Sequence, residues 1–426
     1  MERDTKGSAA PLLESSPSGT ASRLQTLGNI IVSIVGTGWV YWDCLCFRIA
    51  GWLAGSLGVA IVGMTTYYCM LLLVSFVQRE KLAADGSSLE ANTYGDLGYK
   101  SFGTFGRYLS EFLILVAQSG GSVAYLVFIG QNFQSIFQTH SLAFTSYIFL
   151  LVPVEIGLSW IGSLSALAPF SIFADICNVL AMGIVVKNDI QQAIRGEFSF
   201  EQRTAITSNL GGLPFAGGMA VFCFEGFGMT LALENSMQDR AKFPRLLAQT
   251  FGGITLAYIL FGFFGYMAYG DETRDIVTLN LPRNWSSLAV QVGLCLGLVF
   301  TFPIMLHPIN EIVEGRLKRI KWFYRPFHGD NNDSTTRLGK VGIYVSRAVV
   351  VVVLAIFASC VPAFGVFASF VGSTVCALIS FVLPATFHLK LFGSSLHLWQ
   401  KALDSIVMFC GLFFAVYGTY NTIVGV

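Results

Sequence analysis

The sequence predicts an all-α polytopic membrane protein, and two observations carry that prediction. Apolar stretches of about 20 residues recur along the chain, and each is long enough to cross a bilayer as a helix. Charged residues make up 12% of the 426 positions, against roughly 25% in soluble proteins. The mean hydropathy of +0.64 agrees with this composition. The lipid bilayer is therefore the expected surroundings of most of the chain.

The apolar stretches predict eleven membrane-spanning helices. Lys and Arg are concentrated in the N-terminal tail and in alternate loops, which by the positive-inside rule places the N-terminus in the cytosol. Residues 1–22 are rich in Ser, Gly and Pro and lack an apolar core, so we expect a disordered cytosolic tail there. Residues 23–426 then form one transmembrane domain. The expected spans are about 27–47, 52–77, 108–132, 142–162, 167–187, 214–235, 245–269, 287–310, 341–360, 363–384 and 402–422.

The loops and the cysteines narrow the classes of function. The sequon Asn284-Trp285-Ser286 falls on the side opposite the cytosol, so we expect a glycan on Asn284. A net charge of +1, with no basic tract interleaved with aromatics, argues against a nucleic-acid partner. The nine cysteines lack metal-ligand spacing with histidines, so no metal and no cofactor are expected. Without a paired nucleophile and base or a phosphate loop, the sequence does not predict an enzyme.

Span six, residues 214–235, has two features that a simple membrane anchor lacks. Glu225 places a carboxyl group at mid-membrane depth, where such a group faces a cavity, a partner or a substrate path. Glycines recur around it, and Phe224-Glu225-Gly226 is predicted to separate two half-helices. The alternative is an ordinary kinked helix whose glycines allow close helix contact.

Span one contains a matching interruption at Gly36-Thr37-Gly38, and spans one and six each begin a set of five. Glycine-interrupted segments at corresponding positions in two halves indicate a transporter site between inverted repeats. The N-terminal end of one half-helix favours a carboxylate, and the free carbonyls of another accept from an ammonium group. This geometry suits an amino acid. The alternative is that Gly-x-Gly is a small-residue packing motif.

Glu225 is also the candidate carrier of a coupling proton, because a low dielectric favours the neutral form of a carboxyl group. The competing interpretation is a carboxylate that caps the second half-helix. The sequence shows no group of several intramembrane acids, so it does not predict a sodium site. Gln118, Ser122 and Tyr125 share one face of span three, so they are predicted to line the wall of the site.

Several motifs together resemble the amino acid/auxin permease family, in its branch of plant vacuolar-type permeases and proton-assisted transporters. The resemblance implies a leucine-transporter-like fold of two inverted five-helix repeats and one extra helix. It also implies transport of neutral and aromatic amino acids, and an endomembrane such as that of the vacuole in preference to the plasma membrane. In such proteins the two breaks hold the substrate, which transfers here to Gly36, Thr37, Gly38, Phe224, Glu225 and Gly226. The motifs are T-Y-G-D-L-G at 93–98, F-E-G-F-G-M-T-L-A-L-E-N at 224–235, F-P at 243–244, G-Y-M-A-Y-G at 265–270, T-L-N-L-P at 278–282 and S-F-V-L-P at 380–384.

The chain departs from the family pattern at residues 39–46. Similarity to the family predicts G-V-L-G-L-P in span one, but the chain has W-V-Y-W-D-C-L-C. Codons for Val40 to Leu45, read two nucleotides along, encode Leu-Gly-Leu in the middle and permit Val before and Pro after. One hypothesis is therefore a local frameshift that is later restored, and the other is genuine divergence toward an aromatic-lined site. If the protein carries this segment, its bulky side chains are expected to impair transport.

The sequence thus predicts a secondary active transporter of neutral and aromatic amino acids that works by alternating access around broken spans one and six and is coupled to protons. Two alternatives stay open. A membrane sensor would bind amino acids without moving them, and an inactive remnant would follow from the altered span one.

Overall fold

The computed structural model of this protein is helical along almost all of the residues that it describes. These are residues 22–35, 43–83, 93–137, 142–161, 164–194, 200, 203–274, 276–281, 284–317, 337–361 and 364–424. The long helices are α1 (Arg23–Val35), α2 (Asp43–Ala50), α3 (Trp52–Ala83), α4 (Tyr94–Phe137), α5 (Phe144–Ser159), α6 (Leu164–Ile194), α7 (Leu213–Cys223), α8 (Phe227–Ser236), α9 (Phe243–Tyr269), α10 (Trp285–Leu317), α11 (Arg337–Ser359), α12 (Phe364–Val371), α13 (Leu383–Phe392) and α14 (Leu398–Val424).

Eight helical segments in these ranges are long and apolar enough to cross a membrane, and α5 adds a shorter apolar helix of 16 residues. They correspond to the expected spans two, three and six to eleven. The total of eleven stays a prediction, because spans one, four and five are not among them. The eight segments are Trp52–Gln78, Tyr94–Phe137, Leu210–Ser236, Arg240–Glu272, Trp285–Leu317, Val341–Ser359, Phe364–Phe392 and Leu398–Val424.

Span three is longer than the sequence predicted. The stretch 94–106 is helical and continuous with the span, apart from a kink at Phe102 and Gly103. Gly103 has φ of +65°, a left-handed conformation that glycine adopts without steric cost. Beyond the kink, Arg107 pairs with Asp96 at 2.6 Å, which fastens the first turns back onto the span.

Span ten departs from regular α-helical bonding in its middle. Between α12 and α13 the backbone forms two π-helical segments, Gly372–Cys376 and Leu378–Val382. Such segments are rare, and they bend helices and recur at functional sites. A Cβ on Gly372 would lie 1.8 Å from the carbonyl oxygen of Gly218, so only glycine allows span ten to pack this closely on α7.

The outermost helices turn apolar side chains outward, as a helix that faces lipid does. On α14, Phe413 and Val416 are 70% and 67% exposed, and Phe357 on α11 is 63% exposed. The two halves of span six are in contrast largely enclosed by other helices. Span six therefore lies at the centre of the bundle, where it can contact several other spans at once.

Candidate functional site

Span six is broken where the acid and the glycines coincide. α7 ends at Cys223, and α8 begins at Phe227. Between them the backbone leaves helical geometry, with φ, ψ of −94°, 7° at Phe224 and −171°, 10° at Gly226. A Cβ at position 226 would lie 2.9 Å from Cγ1 of Ile34, so glycine there allows α1 to approach the break.

Each of the two helices of span one contacts the opposite half of span six. α1 contacts α8, whereas α2 contacts α7. The second contact includes the thiol of Cys46, which lies 3.4 Å from the carbonyl oxygen of Ala216. The C-terminal end of α1 therefore meets the break of span six. The predicted site residues Gly36, Thr37 and Gly38 lie outside the described residues, between the end of α1 and the start of α2.

The side chain of Glu225 is held at the start of α8. The backbone N–H groups of Phe227 and Gly228 lie within hydrogen-bonding reach of its carboxylate. Gln118 of span three donates from Nε2 to Oε2 of Glu225 over 3.3 Å. This is the position in which an acid compensates the positive end of a helix dipole, so the structure supports the capping interpretation of Glu225.

The second carboxylate oxygen of Glu225 is in a different situation. Oε1 is buried and has no hydrogen-bond partner among the residues that the structure describes. Burying a polar atom without a partner costs free energy, so such an atom needs a specific explanation. A proton, a water molecule or a bound cationic group would each satisfy it. Because Gln118 engages Oε2, Oε1 is the oxygen of Glu225 that is left for a proton or a ligand.

The other sequence-predicted residues divide into two groups. Gln118 contacts the break through its hydrogen bond to Glu225. Ser122 and Tyr125 are buried on the same helix, at 0% and 7% exposure, and Oγ of Ser122 has no partner in the described part of the chain. Their place in the site stays a prediction, because contact with the break is established for Gln118 alone.

The side chain of Phe224 turns into the core. Its ring lies 5.0 Å from that of Tyr258 and 6.2 Å from that of Phe251, both on α9, and it is 1% exposed. Phe224 thus shapes the site through its backbone, while its ring anchors the break against span seven.

Sequence reasoning missed two groups that satisfy the broken backbone. The hydroxyl of Tyr258 donates to the carbonyl oxygen of Cys223 over 3.1 Å, and that of Thr230 donates to Gly226 over 3.0 Å. A tyrosine within the apolar run of span seven was the available signal for the first. These bonds leave fewer carbonyls of span six free for a ligand than the sequence suggested.

Comparison with known proteins decides the family. The family model described as "Transmembrane amino acid transporter protein" matches residues 19–424, which is nearly the whole chain. This chain belongs to that family, the amino acid/auxin permeases. The resemblance seen in the sequence motifs is therefore confirmed. Members of the family are transporters and not enzymes.

Individual transporters match this chain over almost all of its length. It is 63% identical to amino acid transporter ANT1 of Arabidopsis thaliana, over 99% of this chain and 98% of that protein. It is 35% identical to amino acid transporter AVT3C of the same plant, over 97% of this chain and 93% of that protein. It is 26% identical to vacuolar amino acid transporter 4 of Saccharomyces cerevisiae, over 96% of this chain but 59% of that longer protein.

Solved structures support the predicted fold. An inward-facing structure of Mhp1 matches with a TM-score of 0.53 at 10% identity, covering 99% of this chain and 92% of Mhp1. A crystal structure of MhsT in complex with L-phenylalanine matches with a TM-score of 0.50 at 14% identity, covering 95% and 99%. Both have the leucine-transporter-like fold, which is the fold class that the sequence predicted. At these identities the likeness concerns the fold alone.

Proposed function

We propose that the protein is a secondary active transporter of neutral and aromatic amino acids, coupled to protons through Glu225. The observation that carries the proposal is the state of the Glu225 carboxyl group. It lies in the break of span six, with Oε2 fastened by Gln118 and Oε1 buried without a partner among the described residues. An atom of this kind binds and releases a proton without dismantling its surroundings.

The half-helix ends provide complementary places for a zwitterion. The carbonyl oxygen of Ser33, in the last turn of α1, would lie 3.6 Å from a Cβ on Gly226, so the carbonyl end of α1 is at the break. The last carbonyls of a helix have no partner within it, and they accept from an ammonium group. The substrate carboxylate goes to the N-terminal end of α2, because Glu225 already occupies that of α8.

The altered segment, residues 39–46, includes the start of α2, where we place the substrate carboxylate. Asp43 is the first residue of α2, so the altered segment puts an acidic residue into the sequence where the family motif has none. The aromatic residues of the stretch 39–42, which lies outside the described residues, take the place of small ones. Slow transport by the chain as it stands, and faster transport after restoration of the family motif, are the expected consequences.

The membrane and the orientation belong to the same proposal. The excess of Lys and Arg in alternate loops supports a cytosolic N-terminus. A yeast relative is named a vacuolar transporter, which supports an endomembrane, the vacuolar membrane first, as the place of action.

Uptake into proteoliposomes across a pH gradient, with a panel of labelled amino acids, tests the proposal. Neutral and aromatic amino acids are expected to accumulate when the gradient is imposed. Glu225→Gln is expected to abolish accumulation while it keeps exchange of internal for external amino acid. Glu272→Gln, at an exposed loop position, is the matched control. Accumulation that is unchanged in Glu225→Gln would refute proton coupling at this residue, and binding without any flux would favour the sensor.

A further inference from the structure

A second ionisable cluster lies away from the break, where three helices meet. The hydroxyl of Tyr68 on α3 donates to Oδ1 of Asp404 on α14 over 2.5 Å. Nδ1 of His388 on α13 lies 2.7 Å from Oδ2 of the same carboxyl group. Asp404 is 0% exposed, and each of its two oxygens has one partner, from two different helices.

The environment of Asp404 makes both partners necessary. A buried carboxylate is tolerated only when it is paired and hydrogen-bonded. Cys69, next to Tyr68 on α3, is the other titratable group close to Asp404 within the described residues, and it is 0% exposed. The groups that face Asp404 are thus Tyr68 and Cys69 from α3 and His388 from α13. His388 is 7% exposed, so it is less completely enclosed than Asp404.

The helix that carries His388 follows a stretch of π-helical backbone. The second π-helical segment of span ten ends at Val382, shortly before His388. Within it the carbonyl oxygen of Ile379 accepts from the hydroxyl of Tyr94 over 2.7 Å, outside the normal helical pattern. Helices bend at π-helical segments. α13 therefore follows α12 across irregular backbone, and the cluster around Asp404 holds α13 and α14 against span two.

We propose that Tyr68, Asp404 and His388 form a proton-sensitive latch that positions span two against the last two spans, and that the latch opens in each transport cycle. The inference rests on the proposed alternating-access function. Asp404 on α14 and His388 on α13 stay together, while Tyr68 moves with α3. The bond between Tyr68 and Asp404 is the one that breaks.

The direction of the proton effect follows from the charges. With neutral His388, the Asp404 carboxylate depends on the hydroxyl of Tyr68 for its second hydrogen bond, and separation of α3 leaves a buried anion poorly satisfied. When His388 takes up a second proton, the positive imidazolium pairs with the Asp404 carboxylate and offsets its charge. The carboxylate then depends less on Tyr68. Acid on the side that carries residues 385–401 is therefore expected to release span two.

The test compares the parent with Tyr68→Phe, His388→Gln and the control Tyr67→Phe, whose ring packs at 6.1 Å on Phe251 of α9 instead. Hydrogen–deuterium exchange of peptides covering 60–75 and 383–410 reports the latch without any transport. Because amide exchange is base-catalysed, rates are compared as protection factors, each corrected for the intrinsic rate at its pH. Between about pH 7.5 and 5.5, the range in which histidines titrate, the protection factor of the parent is expected to fall. Tyr68→Phe is expected to exchange roughly tenfold faster at the higher pH. His388→Gln, which can still donate a hydrogen bond, is expected to lose the pH dependence.

Two outcomes would overturn the latch. One is equal protection factors in Tyr68→Phe and Tyr67→Phe, and the other is a pH dependence of the protection factor that persists in His388→Gln. A bond that is merely structural would lower thermal stability without changing the pH ratio of exchange or of uptake. If the parent moves no amino acid, the proposed function fails, but the exchange experiment still decides whether the latch exists.

Discussion

Gln118 and Glu225 are joined by a 3.3 Å hydrogen bond that links span three to the break in span six. The bond fixes one oxygen of the acid and leaves the other, Oε1, unpartnered among the described residues. Span three is regular helix around Gln118, whereas span six is broken at Glu225. The bond therefore joins a side chain on a helix to a side chain on irregular backbone. The proposed change of protonation at this carboxyl group therefore requires little movement of the backbone.

Replacement of Gln118 by Ala is expected to slow amino-acid uptake about tenfold, the factor that corresponds to loss of one hydrogen bond to a charged group. The carboxyl group of Glu225 would keep its place at the start of α8 but lose its fixed orientation. Initial uptake rates in proteoliposomes measure the effect. Gln249→Ala, at an exposed position on α9, is the control. A rate equal to that of the control would show that the bond does not matter for transport.

Gly226→Ala is expected to push α1 away from the break. The added Cβ would meet Ile34 at 2.9 Å, and overpacking of this kind costs about 1–3 kcal/mol. Thermal unfolding in detergent and uptake are both expected to suffer. Gly252→Ala is the control, because a Cβ there meets nothing within 4 Å. Partial recovery in the double variant with Ile34→Ala would identify the contact, and its absence would point to a different cause.

Asn284 is expected to carry a glycan, and the cap that it forms on α10 is expected to survive the modification. Its Oδ1 accepts from Oγ of Ser286 and from the backbone N–H of Ser287, over 2.7 and 2.8 Å. A glycan is attached to the amide nitrogen, so Oδ1 remains an acceptor. Digestion with a glycosidase should shift the mobility of the protein expressed in a eukaryotic cell.

Two variants separate the glycan from the cap. Asn284→Asp should lose the mobility shift and keep the stability, because Asp caps helices as well as Asn does. Asn284→Ala should lose both, with a stability cost of about 1 kcal/mol. An undigestible parent protein would contradict both the glycan and the assignment of this loop to the side opposite the cytosol.

Replacement of residues 40–44 by Val-Leu-Gly-Leu-Pro is expected to raise uptake. The change removes Asp43 from the start of α2 and two large aromatic residues from the stretch before it. Uptake rates of the two chains measure the effect, and the sequence of the transcript decides its origin. A transcript that encodes the aromatic segment in frame would end the frameshift hypothesis. Equal uptake by both chains would mean that the segment does not obstruct the substrate.

Local sequence features were sufficient for the most informative part of the fold. The break at residues 224–226 was predicted because an acid and several glycines interrupt one apolar run, and both are properties of neighbouring residues. The helical membrane fold followed from hydropathy, which is also local. For the predicted site wall, helical spacing placed Gln118 on a defined face of span three but could not show which helix that face contacts.

Other features depend on which helices pack together, and the sequence alone could not supply them. The ring of Phe224 points to span seven, although its position in the break suggested a substrate contact. The π-helical segments of span ten arise where its glycine meets the backbone of span six, so no local pattern marks them.

By itself, the sequence determined that this is a helical membrane protein with an acid in a broken span, because apolar length, charge and glycine content act within one segment. The tertiary structure decided that Tyr68 and Asp404, 336 positions apart, share a hydrogen bond, and that Glu225 has one oxygen held and one without a partner among the described residues. The physical reason is that interdigitation of side chains from many helices sets the rotation of each helix, and hydropathy carries no information about it.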